Sequence, residues 1–376
     1  MADLLCRALQ FILPPRLRDW GLAIRYELAE IPDDTQALLF ALASVRGLAP
    51  RALGQLLMHP FVALLGAAVR ASRGFGAVHG PRAVGALCAV GAVALGLVYM
   101  TVAGAPVRYL GVNAGALVLG LLLLALVSRI PEGSGRLSGA LILGLSVLLL
   151  ATALVGLRIE GISRWVKLGG VVVQPSLVLL PFMLAAFSRT RTPLAATGMV
   201  VAALAMALQP DRAMAAMMTA TLATVAATRV DRLTCLALTA SLLAFMVTLL
   251  RPDALPAAPF VDQVLLSSFA VHVLAGLAVV AGSALLLVPV IIGGSYDEER
   301  RATSLAFGSA WLAASLAAAF SNSPTPVVGY GGSAILGYLL SLSTLPRPVS
   351  ARGGPAIAPS DTPLASRDSH SKIALA

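Results

Sequence analysis

One short stretch of the sequence, RWVKLGGVVVQPS at residues 164–176, places polar side chains between two long apolar runs. Arg164 and Lys167 stand close together in a chain with only two lysines, and Trp165 lies between them. Fixed cations in a partly water-excluded place can stabilise an anion such as a phosphate. The same cations can instead reach lipid headgroups, and tryptophan often anchors a chain at the membrane interface without any ligand. The stretch therefore indicates either an anion site or an interfacial anchor.

Two further polar stretches, LQPDRA at 208–213 and YGGS at 330–333, also interrupt the apolar sequence. Asp211 in the first is placed to cap a helix, since a carboxylate in a first helical turn is favourable whatever the function. The glycines of the second are typical of close helix packing or a bend at the start of a span. The QPS at 174–176 can likewise begin a helix, with Pro175 in its first turn.

The composition determines what kind of element must hold these residues. Hydrophobic residues make up 58% of the chain and charged residues 12%, and the mean hydropathy is +0.89. A soluble globular domain of this composition would expose too much apolar surface. The apolar runs are long enough to cross a bilayer as helices and do not alternate in polarity as barrel strands would. The sequence therefore predicts an all-α polytopic membrane protein.

Ten transmembrane helices are predicted, separated by short polar loops. The predicted spans are 82–104, 107–128, 137–157, 171–188, 193–209, 212–228, 232–250, 265–293, 303–321 and 327–345. The fourth to sixth are the shortest or most interrupted of these, so their ends are the least well defined.

Arginine placement predicts the orientation of the spans, because cytoplasmic loops carry an excess of basic residues. The side predicted to be cytoplasmic, with both chain termini, holds Arg70, Arg73, Arg82, Arg129, Arg136, Arg189, Arg191, Arg229, Arg232, Arg300, Arg301, Arg347 and Arg352. The outer side also carries an unusually large set of cations, Arg108, Arg158, Arg164, Lys167, Arg212 and Arg251. Such a surface suggests an anionic ligand at the outer membrane face, although arginines that reach headgroups would give the same pattern.

The domain organisation follows from where the apolar runs begin and end. Residues 81–346 form the predicted transmembrane domain. Residues 1–80 read as amphipathic helices, with Trp20, Ile24 and Leu28 at helical spacing, and suit either the membrane surface or a partner-docking module. Residues 347–376 are rich in Pro, Ser, Gly and Ala and are predicted to be disordered.

The sequence also excludes several function classes. Its three cysteines and four histidines are scattered, so they predict neither a metal site nor a disulfide framework. The net charge of +10 comes almost wholly from arginines that flank apolar runs. No basic face typical of a nucleic-acid-binding protein is visible, so nucleic acid is not a predicted partner.

Three stretches resemble, in order and spacing, the signatures of the SEDS family (shape, elongation, division and sporulation). They are GISRWVKLGGVVVQPS at 161–176, LQPDRA at 208–213 and PTPVVGYGGSAILG at 324–337. The usual family wording is close to RWxxLGxxxxQPSE, QPDxG and PFxSYGGSS. The resemblance covers roughly residues 82–345. It implies a multi-pass, ten-helix peptidoglycan glycosyltransferase of the bacterial cytoplasmic (inner) membrane. The enzyme would polymerise lipid II at the outer face of that membrane, in cell division or cell-shape control.

The resemblance also implies an essential aspartate in the outer loop between the seventh and eighth spans. Asp262, in PFVDQV, occupies that position, and Asp253 is its nearest rival. Asp262 would take the proton of the attacking hydroxyl or hold a divalent cation, Mg²⁺ or Mn²⁺. A solvated loop acid is the alternative interpretation. A membrane-anchored penicillin-binding transpeptidase is the implied protein partner.

The same resemblance assigns the substrate-binding residues. Arg164, Lys167, Arg212 and Arg251 would hold the departing polyprenyl pyrophosphate, because they are the cations available at the outer face. The remaining matched residues implied in lipid II binding are Gln174, Asp211, Tyr330, Gly331, Gly332 and Ser333.

The chain departs from the family pattern in several places. Leu177 and Leu180 replace the family's Glu and Lys, Ala213 replaces a glycine and Gly329 a serine. Paired acids that often follow the essential aspartate are also missing, and His272, found there, is expected to be a packed or polar-lined helix residue. A second hypothesis is therefore a non-catalytic scaffold or regulator of an envelope complex. A transporter of a lipid-linked substrate fits less well, since ionisable groups at mid-membrane are almost absent.

Overall fold

Long apolar helices make up most of the structure, a computed structural model that describes residues 2, 6, 18–44, 80–130, 133–251, 256–293 and 298–346. The helices are α1 Arg18–Ala29, α2 34–44, α3 Gly80–Val102, α4 Val107–Val127, α5 Gly135–Val155, α6 Pro175–Arg189, α7 Pro193–Leu208, α8 Arg212–Thr228, α9 Arg232–Leu249, α10 Val264–Val271, α11 Val273–Leu285, α12 Val288–Gly293, α13 Glu298–Phe320 and α14 Gly332–Leu342. The predicted helical membrane fold is confirmed.

The polar residues between the apolar runs are where helices begin. Side chains of Ser134, Thr192, Asp211 and Asp231 each accept a hydrogen bond from a backbone N–H in the first turn of α5, α7, α8 and α9. Such caps satisfy donors that the start of a helix leaves without partners. The helix starts are therefore defined by the local sequence.

Six helices are long and apolar enough to cross a membrane. Within the described residues they are Gly80–Val102, Val107–Val127, Gly135–Val155, Arg232–Leu249, Val273–Ile291 and Arg300–Phe320. Three further apolar helices, α6, α7 and α14, are shorter than this. The predicted number of ten spans therefore remains a prediction.

A three-stranded antiparallel sheet follows α5, and the sequence analysis did not predict it. It comprises β1 Leu157–Ile159, β2 Ile162–Leu168 and β3 Val171–Val173, in the order β1-β2-β3. Glu160 and Gly161 join β1 to β2 with φ values of 51° and 83°, the left-handed pair typical of a tight hairpin. The fourth predicted span was wrong in starting at 171, because its first valines form β3.

The eighth and tenth predicted spans also differ from the helices observed. The eighth is divided into α10, α11 and α12. His272, whose backbone is extended, separates α10 from α11. His272 is exposed, and its Nδ1 accepts a hydrogen bond from Leu274 N at 3.1 Å, so it caps α11 and is not a packed helix residue. The tenth was predicted from 327, but residues 327–331 form a turn and α14 begins at Gly332.

The helix α14 lies in the centre of the bundle, packed between α4 and α6. A side chain at Gly337 would place its Cβ 2.2 Å from Leu177 O on α6, so only glycine permits this approach. Tyr338 on α14 is fully buried beside Trp311 of α13, and its hydroxyl donates to Leu286 O at 3.0 Å. The apolar outer surfaces of α3, α4, α5 and α9 remain exposed, as expected of helices that face lipid.

The N-terminal helices form a small cluster of their own, in which Ile24 and Leu28 of α1 are buried against Ala37 and Ala41 of α2. Trp20 lies on the same helix and is 65% exposed, and whether these helices meet the membrane surface or a partner remains a prediction. Residues 45–79 and 347–376 lie outside the described residues, and so does the predicted disordered tail. The predicted domain boundary at 80 and 81 stays a prediction.

The loops between the helices lie on two opposite faces. The face with β1–β3 and the starts of α6, α8, α10 and α14 is called the sheet face. The other, with the starts of α5, α7 and α9 and the ends of α6 and α14, is called the arginine face. Arg82 on the arginine face donates to Leu345 O at 2.6 Å, which joins α3 to the segment after α14.

Candidate functional site

The three polar stretches of the sequence meet in one hydrogen-bond network at the sheet face. Gln174 N donates to Ser333 Oγ at 2.9 Å, which ties the start of α6 to the start of α14. Gln174 Nε2 donates to Asp211 Oδ2 at 2.8 Å, and Ser176 Oγ donates to the same oxygen at 2.9 Å. The network therefore connects the first turns of α6, α8 and α14.

Asp211 is the centre of this network and is fully buried. Its other carboxylate oxygen, Oδ1, accepts a hydrogen bond from Met214 N at 3.3 Å, as predicted for a helix cap. The carboxylate lies at the N-terminus of α8, where the helix dipole favours negative charge. Within the described residues its hydrogen-bond donors are neutral groups of α6 and α8, so it joins these two helices from inside the bundle, and Gln174 N links them to α14.

The turn before α14 is held by an asparagine that the sequence analysis missed. Asn113 Nδ2 on α4 donates to Gly329 O at 2.9 Å, and Gly331 N donates to Asn113 Oδ1 at 3.0 Å. Gly331 has a φ of 151°, which a residue with a side chain rarely adopts. Asn113 could have been singled out in the sequence as a lone amide side chain inside an apolar run. A polar group in lipid is costly unless it is paired, so such a residue indicates a partner elsewhere in the fold.

Aromatic rings pack beside the same turn. Tyr330 stacks on Tyr109 of α4 with 3.7 Å between ring centroids and an interplanar angle of 11°. Phe260 meets Tyr109 edge-on at 6.1 Å. A side chain at Gly332 would bring its Cβ within 2.9 Å of Ala116 Cβ on α4, so the glycine allows α14 to start close to α4. These contacts fix the turn against α4.

Residues 258–263, called the Asp262 segment, are docked on this turn through their backbone. Thr325 N donates to Val261 O at 2.8 Å and Tyr330 N to Phe260 O at 2.6 Å. Asp262 itself forms an isolated antiparallel bridge with Pro324. The structure therefore places Asp262 beside the last polar stretch, although the two are more than sixty residues apart in sequence.

The Asp262 carboxylate is half-buried and oriented by its own loop. Its Oδ2 accepts a hydrogen bond from Ala258 N at 2.8 Å. The next residue, Gln263, is left-handed with a φ of 55°, and its Nε2 donates to Asn322 Oδ1 at 2.7 Å. The loop is therefore held on both sides of Asp262, by Ala258 before it and by Gln263 after it. The rival acid, Asp253, lies outside the described residues.

The predicted cations of the β2 strand occupy different environments. Arg164 is 4% exposed, with its guanidinium carbon 5.4 Å from the centroid of the Trp165 ring, a distance typical of a cation–π contact. Lys167 is exposed. Side chains three positions apart on a strand point to opposite faces. Their binding of one shared anion remains a prediction.

Arg212 and Arg251 lie together at the sheet face, where α8 begins and shortly after α9 ends. Arg212 Nη2 donates to Arg251 O at 3.1 Å and to Thr248 O at 3.4 Å. Arg212 Nε is buried and has no hydrogen-bond partner in the described part of the chain. Among those residues, neither Arg212 nor Lys167 forms an ion pair with Asp262.

The positions at which the chain departs from the SEDS pattern are apolar and packed. Leu177 and Leu180 are 3% and 0% exposed on one side of α6. A Cβ at Gly329 would lie 3.0 Å from Thr325 O and 3.1 Å from Phe260 O, so the serine of the family pattern would need a small shift of the Asp262 segment.

The side chains near Asp262 determine how the protein would hold a divalent cation. No group of three or more His, Cys, Asp or Glu side chains with metal-binding geometry occurs among the described residues. Asp262 would therefore supply one carboxylate, and the remaining ligands would be substrate phosphates and water, as is usual for Mg²⁺. A divalent cation stays a prediction.

Comparisons with known proteins show the fold. No protein-family model and no curated protein matches the chain. Among solved structures, the rod shape determining protein RodA of Thermus thermophilus, which belongs to the SEDS family, is similar with 22% identity and a TM-score of 0.50 over 68% of this chain and 92% of RodA. An aspartate-to-alanine mutant of that RodA is similar with 22% identity and a TM-score of 0.51 over 68% of this chain and 93% of the mutant. The chain is therefore a multi-pass membrane protein with a SEDS-like fold.

Proposed function

We propose that this chain is a divergent SEDS-type peptidoglycan glycosyltransferase that polymerises lipid II at the outer face of the bacterial inner membrane. The observation that carries the proposal is the docking of the Asp262 segment on the turn at 325–331, through Thr325 N to Val261 O and Tyr330 N to Phe260 O. That turn connects through Ser333 and Gln174 to Asp211. The turn at 325–331 thus contacts the segment of the partly exposed Asp262 through its backbone and is linked through Ser333 to the buried network of Gln174 and Asp211.

Asp262 would act as the general base of the transfer. The 4-hydroxyl oxygen of the acceptor sugar bonds to the anomeric carbon of the donor, and the bond from that carbon to the pyrophosphate oxygen breaks. The hydroxyl proton passes to the Asp262 carboxylate. Ala258 N, at 2.8 Å from Oδ2, would hold the carboxylate in one orientation. Such proton transfer typically contributes about 10²–10⁴-fold to the rate.

The cations of the sheet face would hold the departing pyrophosphate. Arg212 Nε is buried without a hydrogen-bond partner among the described residues, a state that costs free energy until an acceptor arrives. A phosphate oxygen is such an acceptor, and it gains from a fixed cation as the leaving group becomes charged. Arg164, Lys167 and Arg251 complete the proposed cationic set.

The residues of the buried network have a positioning part in this proposal. Asp211 and Gln174 hold the first turns of α6 and α8, while Ser333 and Gly331 shape the turn under Asp262. Tyr330 and Gly332 fix that turn on α4. A penicillin-binding transpeptidase is the proposed protein partner, and division or cell-shape control the proposed process.

Extension of fluorescent lipid II by the purified full-length protein tests the proposal. Asp262→Ala and Asp262→Asn should lower the rate of glycan formation at least about 100-fold. Glu160→Gln is the matched control, since Glu160 is an exposed acid of the same face outside the proposed site. Equal activity of Asp262→Asn and the wild type would contradict the assignment of the base.

A non-catalytic scaffold is the second candidate, because Leu177 and Leu180 place buried apolar groups where the family pattern has charged ones. The same assay distinguishes the two candidates. A wild-type protein that forms no glycan under conditions in which an active SEDS polymerase does so would favour the scaffold.

A further inference from the structure

A cavity of about 610 Å³ lies at the arginine face, on the opposite side of the bundle from Asp262. It is bounded by the end of α4, the start of α5, the end of α6 and the residues after α14. A volume of this size accommodates a small ligand or a lipid headgroup.

Three arginines line this cavity, and two of them are held by neutral backbone carbonyls. Arg82 Nε donates to Leu345 O at 2.6 Å, and Arg189 Nη1 donates to Thr344 O at 3.3 Å. These bonds orient the two guanidinium groups by anchoring them to the chain after α14. Planar guanidinium groups held in this way match the oxygens of a phosphate.

The third arginine, Arg191, has an incomplete set of partners within the described residues. Its side chain is 14% exposed, and its Nε lies 3.7 Å from Asp231 Oδ2. Its Nη1 is buried and has no hydrogen-bond partner in that part of the chain. A buried N–H without an acceptor raises the free energy of the folded protein, and a bound anion that accepts a hydrogen bond from it would lower that free energy.

Among the described residues, the charged side chains that line the cavity are the three arginines. Asp231 is the carboxylate that faces Arg191. Glu132 adjoins lining residues in the sequence but lies outside the described residues.

Helix starts and an apolar wall complete the cavity. Gly135 and Thr192, at the starts of α5 and α7, line it, and the N-terminus of a helix favours an anion. Three apolar lining residues, Ile130, Leu137 and Leu141, are 59%, 68% and 50% exposed. In a membrane such side chains contact acyl chains, so the cavity joins a cationic side to a lipid-facing side.

We propose that this cavity binds the phosphate group of an anionic phospholipid from the leaflet at the arginine face. The arginines hold the phosphate, and the exposed apolar wall receives the upper part of the acyl chains. Basic pockets between helices on the cytoplasmic side are suited to such headgroups. The inference stands independently of the proposed glycosyltransferase activity, since it uses none of the sheet-face residues.

Thermal unfolding of the purified full-length protein in detergent, titrated with dioleoyl-phosphatidylglycerol, tests this proposal. Phosphatidylglycerol should raise the unfolding temperature with a saturable dependence, whereas phosphatidylcholine should not. Arg191→Gln should weaken the apparent affinity for phosphatidylglycerol about fivefold, the usual effect of removing one cation near a lipid headgroup. Arg229→Gln is the matched control, because Arg229 is exposed on the same face and does not line the cavity.

A second variant separates the site from the fold. Ser138→Trp would fill the cavity from a partly exposed position without changing charge, and it should also weaken phosphatidylglycerol binding. The unfolding temperature of each variant without lipid shows whether it is folded. Equal affinities in Arg191→Gln, Ser138→Trp and Arg229→Gln would overturn the proposal. Displacement of the lipid by equimolar glycerol 3-phosphate would also overturn it, because the site would then bind a free phosphate.

Discussion

Removing the Asn113 side chain should loosen the docking of the Asp262 segment by an amount that the structure predicts. Asn113→Ala deletes two hydrogen bonds, to Gly329 O and from Gly331 N. Each contributes about 1 kcal/mol net, so the turn should lose about 2 kcal/mol of local stability. Because 1.4 kcal/mol is a factor of ten, amide exchange that needs opening of this turn should become roughly 30-fold faster.

Hydrogen exchange at two amides provides the measurement. Thr325 N and Tyr330 N keep their acceptors, Val261 O and Phe260 O, in Asn113→Ala. Faster exchange there would therefore report the docking itself and not the deleted bonds. Ser146→Ala is the matched control, since the buried Ser146 hydroxyl bonds, among the described residues, to carbonyls of its own helix. Unchanged exchange at both amides in Asn113→Ala would refute the conclusion that the Asn113 side chain holds this turn in place.

Two other changes test the packing and the loop electrostatics. Gly337→Ala should lower the unfolding temperature in detergent markedly, because the new Cβ would meet Leu177 O at 2.2 Å, whereas Gly144→Ala, with no atom within 4 Å of its Cβ, should not. Asp231 caps α9; burial raises its pKa, but hydrogen bonds from the first turn of α9 and the charge of Arg191 outweigh burial and lower it. The folded pKa lies below the unfolded one, so this stabilisation is present above about pH 4 and lost as the pH falls through the folded value. The stability difference between wild type and Asp231→Asn, measured by thermal unfolding, should therefore shrink on acidification below about pH 4, and a constant difference would contradict it.

The helices were predictable because apolar length and caps are local properties. Ser134, Thr192 and Asp231 each stand in polar punctuation before an apolar run, and each caps the helix that follows. The strand β3 was missed because three valines beside an apolar run fit either a short strand or the start of a helix. The interruption at His272 was missed for a related reason, since extended backbone at a single residue leaves no trace in hydropathy.

The site was predictable only in part, because its geometry depends on contacts across the fold. Asp262 and the stretch at 324–337 were each identified in the sequence, but their pairing depends on backbone hydrogen bonds between segments far apart along the chain. The contact of Gln174 with Asp211 is likewise a tertiary one. Asn113 lies outside the matched stretches, and its partners are backbone groups, so no sequence pattern linked it to the turn.

The leucine pair on α6 has a consequence for how the chain enters the membrane. This helix has only fifteen residues, with Pro181 inside it, so little apolar length is available to offset a polar group. A charged side chain such as lysine at the centre of an inserting helix costs about 2.5–3.5 kcal/mol. With Leu177 and Leu180 in place of charges, we expect α6 to enter lipid more readily than the same helix with a glutamate and a lysine at these positions.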